Sequence, residues 1–511
     1  MTEGLKLSRR RLLELTAMSG AMVLAPRLAW AGEPQRGGHL VISSGGAAAG
    51  DSLDPRTFNS PYGAAMSGII YNNLIAVQGP NKELVPELAH SWEAINGGLS
   101  WVFNLVEGVE FHNGKILTSE DVVFSLRRHA EPDSRSSMRS VISNLVDIRA
   151  DGDHRVIIDL PAVNYLFPAY MAHFTLGIVP AGTTDFTGIG TGGYKVTNFA
   201  PGEVLEMVRH ENYFKPNAAF VDSVELLAIN DPSALTAAFQ SGQVNMTSGL
   251  DARSAGLLES MANLRIFKME GGGYISFNMR CDIPPFDNPD MRLALKLAVD
   301  REDMLQRVGA GVGSIGNDTP VPSNDAVFSP NVEQKRYDPE RARALFESVG
   351  YTGPIVLHTS DAISSRAVDM ATVFQEHAAR AGIPIEVQRD PADGYWNSVV
   401  GVAPFHVSAR SARPTADAIF STAFLGTSEN NECKWVNEEF DAAIIAARAE
   451  ENLERRLALY ERAQEICSVD GGTMIPFFSA TVQGTSADVD GFNVGAVELN
   501  GYRAVEQVWF T

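Results

Sequence analysis

The chain has 511 residues, 45% of them hydrophobic, and a formal net charge of −21. Such acidity is a poor match for nucleic acid or an anionic lipid surface. The length is far more than one hydrophobic core serves, so at least two lobes are expected.

The N-terminus reads as an export signal. Ser8-Arg9-Arg10-Arg11-Leu12-Leu13 has twin-arginine order, and a weakly apolar stretch runs from Leu12 to Leu28. It ends in Ala29-Trp30-Ala31, whose small residues suit a signal peptidase. Residues 1–31 are therefore expected to be a twin-arginine-type signal peptide, and Gly32 the first mature residue. Glu14 inside the apolar stretch argues against a permanent membrane helix. Removal of this segment takes off five basic and two acidic residues and moves the formal charge from −21 to −24. No later run of about 18 apolar residues predicts another span.

Strand and helix signals then interleave along the chain. Leu99, Trp101, Phe103 and Leu105 alternate with Ser100, Val102 and Asn104, the period of a half-buried strand. Thr118 reads as an N-cap with Asp121 at the third helical position. Gly188-Ile189-Gly190-Thr191-Gly192-Gly193 lacks the glycine spacing and the following Lys-Ser/Thr of a phosphate loop, so it reads as a turn before a strand. Gly271-Gly272-Gly273 is the clearest punctuation in mid-chain and, taken locally, a surface turn. Asn288-Pro289-Asp290 opens a helix over MRLALKLAVDREDML, and Asp338-Pro339-Glu340 opens one that Gly350 stops.

The three cysteines are Cys281, Cys433 and Cys467. Residues 437–449 and 453–467 read as an antiparallel helical pair, which would bring Cys433 near Cys467. Two alternatives stay open: a Cys433–Cys467 disulfide, or three unpaired buried thiols. The ten histidines are scattered, with no His-Glu-x-x-His, no Cys-x-x-Cys and no Gly-x-Ser-x-Gly. Glu438-Glu439 reads as a solvated helix face. No metal site, cofactor or catalytic set is expected.

Several blocks together carry more than any one alone. Ser52-Leu53-Asp54-Pro55 precedes IIYNNLI and LVPELAHSWEAINGGLSWVFNLVEGVEFHNGK. Then come GTGGYKVTNFAPGEVLEMVRHENYF, YISFNMRCDIPPFDNPDMRLALKLAVDRE, YDPERARALFESVGY, WVNEEFDAAIIAARAE and LERRLALYERAQEICSVDGGTMIPFF. In number and order these resemble the extracytoplasmic solute-binding proteins of peptide-type ABC importers, solute-binding family 5.

The resemblance implies a two-lobed α/β periplasmic binding protein fold of the large, peptide-receptor-like class. Residues 37–70, 188–270 and 481–511 would form the base of lobe I, 71–187 an added subdomain, and 271–480 lobe II. The chain would cross between lobes at Gly271, Gly272 and Gly273, with Tyr274 and Asn278 following beside the cleft. Also implied are a non-enzymatic role, a peptide-like ligand, and a monomer in the periplasm that works with an inner-membrane permease and its ATPase. A chemosensory receptor and an exported enzyme are the rival classes.

In peptide receptors of this family a strand end carries a Trp and, three residues on, an Asp that holds the ligand's ammonium. The matching segment here places Arg410 and Arg413 at those positions. A guanidinium suits a carboxylate or phosphate. Either the two arginines meet an anionic ligand group, or they pair with internal acids such as Asp417. Asp417 would meet a ligand amine if the peptide default holds. Tyr395-Trp396, which starts a helix, is either a pocket wall or core.

Overall fold

The computed structural model describes residues 33–79, 83–413, 415–492 and 503–511. The expected export signal and its expected cleavage point at Gly32 lie outside them, as does part of 481–511. Twelve of the described strands form one mixed sheet. Ten of these set the frame: β1 (His39–Ser44), β2 (Tyr194–Ala200), β3 (Val204–Arg209), β4 (Ser223–Ala228), β5 (Met246–Leu250), β6 (Leu264–Met279), β7 (Ile355–Thr359), β8 (Ile385–Arg389), β9 (Phe405–Arg410) and β10 (Phe477–Ser486). Their order across the sheet is β8-β7-β9-β6-β10-β5-β1-β4-β3-β2.

β6 and β10 hold the two halves together. The first half of β6 pairs antiparallel with β10, from Leu264 opposite Ser486 to Glu270 opposite Ala480. Its second half pairs with β9, from Tyr274 opposite Arg410 to Met279 opposite Phe405. Gly271 to Gly273 fill the interval where the β6–β10 register slips. They are strand, not the surface turn that local sequence suggests. The reason is close approach: a Cβ at Gly272 would lie 3.1 Å from that of Ala412.

Each half has its own core. In the first, Leu40 and Ile42 of β1 are buried with Tyr62, Met66 and Leu226. A separate four-stranded antiparallel sheet (Ala89–Ile95, Ser100–Leu105, Arg155–Asp159 and Asp147–Ala150) packs Trp101, Phe103 and Leu105 into another cluster. The strand read at 99–105 forms from Ser100 to Leu105, but it is not half-buried: Ser100 and Val102 are covered too, and the exposed Leu99 precedes it. In the second half Phe277 of β6 stacks on Phe374 at 5.0 Å, with Phe405 of β9 beside them. A helical layer adds Phe420, Phe440, Tyr460 and Cys467.

Helix starts follow the capping residues. Asp121 accepts from the Thr118 N–H at 2.9 Å, Asn288 from Asp290 at 2.9 Å and Asp338 from Arg341 at 3.0 Å. Gly350 closes its helix at φ +66°. The run after Pro289 is two helices rather than one, Pro289–Leu297 and Arg301–Arg307. Asp300 interrupts it because its carboxylate accepts from the Asp303 N–H, and so caps a new helix.

The helices Glu438–Ala449 and Leu453–Asp470 form as read, but the Cys433–Cys467 bond does not. All three cysteines are free thiols. Cys467 turns inward to the Asp318 carbonyl at 3.6 Å, whereas Cys433 lies 3.2 Å from the Thr473 hydroxyl. The neighbour of Cys433 is Cys281, whose N–H donates to the Cys433 carbonyl. Burial pushes the Cys281 thiol up to about 11.

Candidate ligand-binding cleft

A cleft of about 820 Å³ opens where the two halves meet. That volume suits a ligand of drug or small-peptide size. Ser44 of β1, Asn230 and Ser248 line one wall; Arg366, Ser411 and Ala412 line the other. Gly271 and Gly273 of β6 and Gln483 of β10 form its back, and His173 and Phe174 close a further side. His173 stacks on Phe174 with ring centroids 4.6 Å apart. Burial, reinforced by the positive charge of Arg413, pushes the His173 imidazole down to about 4, so it is neutral at pH 7.

Arg366 is the one permanently charged side chain among the described residues lining this cleft. It is exposed and makes no hydrogen bond or ion pair with another described residue. It stands in the first turn of the Ser365–Arg380 helix, where a cation opposes the helix dipole. Across the cleft Asp251 is held below the usual carboxylate range, first by hydrogen bonds from Arg253 and less by the charge of Arg366.

The predicted residues fall into different places. Arg410 does not face open space: its Nη2 donates to Glu432 at 2.7 Å and to the Asn430 carbonyl at 2.8 Å. Asn278 also donates to Glu432, at 2.5 Å. Burial raises the Glu432 pKa, yet His406 and Arg410 outweigh it and leave the carboxyl low. The space beside Arg410, Asn278, Tyr274 and Glu432 is only about 10 Å³, room for at most one water. Tyr274 is buried edge-on against Phe478 at 5.7 Å.

Arg413 is exposed, beside Gly272 and Ser411, at the margin of the cleft. No described residue bonds it, and its charge reaches His173. Asp417 is 1% exposed and accepts from Arg448 Nε at 3.2 Å, so neither Arg410 nor Arg413 is its partner. Tyr395 is core: its hydroxyl donates to the Val407 carbonyl at 2.9 Å. Trp396 is 47% exposed, and neither aromatic lines the cleft.

Sequence reasoning missed Arg366, His173, Phe174 and Gln483. Only Arg366 carried a signal, as a cation in the first turn of a helix that has none of the usual acids there. The other three become cleft residues only through long-range topology.

Tyr165 and Leu166 of the first half also touch the second half. The Tyr165 N–H donates to the Arg448 carbonyl at 3.0 Å, and Leu166 packs on the Phe420–Tyr460 cluster. The two halves thus touch at a second place besides the crossing strands, through a backbone hydrogen bond and the Leu166 side chain.

Two halves joined by crossing strands around one solute-sized cleft define a two-lobed binding protein. Residues 83–432 match the family model for bacterial extracellular solute-binding proteins, family 5 middle. The chain belongs to that family, whose members are extracytoplasmic binding proteins of ABC importers. It is 24% identical over 505 residues to the glutathione-binding protein GsiB of Pectobacterium atrosepticum, covering 95% of this chain and 96% of that one. Heme-binding protein A of Haemophilus influenzae is 25% identical over 456 residues, covering 79% and 80%. Among solved structures, the binding protein AgaA of A. tumefaciens R10 in complex with agropinic acid superposes with TM-score 0.74 at 21% identity, covering 93% and 99%.

Proposed function

We propose that this protein is the periplasmic receptor of an ABC importer, and that it closes around one small, anionic, peptide-like solute for delivery to an inner-membrane permease. The observation that carries the reading is Arg366, an unpartnered guanidinium on the wall of an 820 Å³ cleft. A planar fork with five donors is suited to a carboxylate. Arg413 at the margin adds positive field. A fold neighbour holding an organic acid agrees with an acidic solute.

Closure needs no catalysis. The open receptor binds through one lobe, and contacts from the other favour the closed state by the difference in affinity. Gly271 to Gly273, between the two β6 ladders, take up the rotation, because glycine tolerates large dihedral change. The lobe I base is 37–70, 188–270 and 481–511, the subdomain 71–187 and lobe II 271–480. Export follows the twin-arginine segment, and a Lys pair at Arg9 and Arg10 should trap precursor in the cytoplasm.

The test is mass spectrometry of solute released by denaturing the purified protein, followed by calorimetry with that solute. An acid that binds, and that compacts the protein in X-ray scattering, is expected. A cationic solute would overturn the assignment.

A further inference from the structure

We propose that the cleft is built for an acid that carries neutral amide or hydroxyl groups and no free ammonium, so that amino-blocked acids are taken and free-amine peptides rejected. This rests on the receptor reading above and narrows it to a chemical class.

The first observation is a missing counter-charge. No Asp or Glu is among the described residues lining the cleft. Three carboxylates beyond the lining are held by arginines of the protein itself. Asp251 accepts from Arg253 Nη2 at 3.0 Å, Glu432 from Arg410 at 2.7 Å, and Asp417 from Arg448 at 3.2 Å. A ligand ammonium enclosed here would meet the Arg366 guanidinium, a neutral imidazole at His173, and neutral amides and hydroxyls. A charge taken from water without a partner is strongly disfavoured.

The second observation is Gln483. Its side chain sits at the back of the cleft on β10, and the residue is 3% exposed. One end of the carboxamide is used, since Nε2 donates to Ser248 Oγ at 3.2 Å. The other, Oε1, has no partner. A buried amide with one idle end is costly unless something fills it. It can satisfy an amide N–H or a hydroxyl, but it cannot neutralise an ammonium. Placed with Arg366 on the other lobe, it specifies two ends of a ligand: an anion at lobe II and a neutral hydrogen-bonding group at the β10 wall.

The test uses the mature protein, freed of cargo by denaturation and refolding, in calorimetric titrations with three probes: trialanine, N-acetyl-trialanine and N-acetyl-trialanine amide. N-acetyl-trialanine should bind at least tenfold more tightly than either of the others. Gln483→Glu is nearly isosteric and supplies the missing carboxylate. It should shift the preference at least tenfold toward trialanine, with circular dichroism confirming an unchanged fold. Equal or tighter binding of trialanine to the unaltered protein overturns the proposal. So does an unchanged preference in folded Gln483→Glu, or no binding by any probe. In these cases the receptor reading stands if released cargo still rebinds and compacts the protein, and fails with the proposal if it does not.

Discussion

Two arginine sites of this molecule, 44 residues apart, have opposite fates. Arg410 lies on the last residue of β9, where Glu432 and the Asn430 carbonyl claim its donors and the space beside it is about 10 Å³. Arg366 lies in the first turn of a helix, unclaimed, on the wall of 820 Å³. The same side chain is structural in one place and available in the other. What separates them is not residue type but whether the fold delivers an internal carboxylate.

The sharpest way to break this contrast is to free the sealed site. Glu432→Ala leaves Asn278 without its acceptor and Arg410 with the Asn430 carbonyl but no counter-charge. Removing one partner of a buried ion pair costs roughly 3 kcal/mol at the low end of its usual range. Urea unfolding should show that loss, and a change below about 0.5 kcal/mol, typical of surface substitutions, would mean that Arg410 is not committed to Glu432.

Buried histidines belong on the sealed side too. Burial pushes His112 down to about 4 and His129 to about 3. In the unfolded chain they take up protons near pH 6.5. The unfolded state therefore binds more protons below that pH, and stability falls as pH drops from about 6.5 toward 4. Each is expected to contribute about 2 kcal/mol over that window. Replacing either His with Gln should flatten the curve in urea titrations at stepped pH.

Smaller effects sharpen the open side. Leu166→Asp puts a charge where Leu166 packs on the Phe420–Tyr460 cluster, outside the residues that line the cleft. A weakening of about fivefold, or about 1 kcal/mol, is expected in calorimetry, with a larger radius of gyration for the liganded protein. Arg413→Ala removes charge from the margin rather than a contact in the cleft. About threefold weaker binding is expected, vanishing at 0.5 M salt, where screening shortens its reach. Smallest of all is pH between 7.5 and 5.5. His173, pushed down to about 4, stays neutral across it, so affinity should move less than twofold.

Much of this was written in the sequence. The caps at Asn288 and Asp338 and the existence of a strand near 99–105 are local, and local signals survive folding, whereas which of that strand's residues are buried depends on tertiary packing. The order of the family blocks predicted the two-lobed class. The site was less legible. Asp417 meets Arg448, and Arg410 meets Glu432, through packing between elements that no spacing rule connects. Gly271 to Gly273 read as a turn because three glycines usually free a surface loop, yet here they let β6 pass close to Ala412. Gln483 sits in a strand with neutral residues around it and nothing local marks it.

The most direct measurement is calorimetry of the co-purified solute against two variants, Arg366→Gln and Arg410→Met, each checked for native stability and folding. At least a tenfold loss of affinity is expected for Arg366→Gln, partly recovered in Arg366→Lys because a bidentate fork becomes a point charge. Less than a twofold change is expected for folded Arg410→Met. Unchanged affinity in Arg366→Gln, with the loss appearing in Arg410→Met instead, would contradict a ligand contact at Arg366.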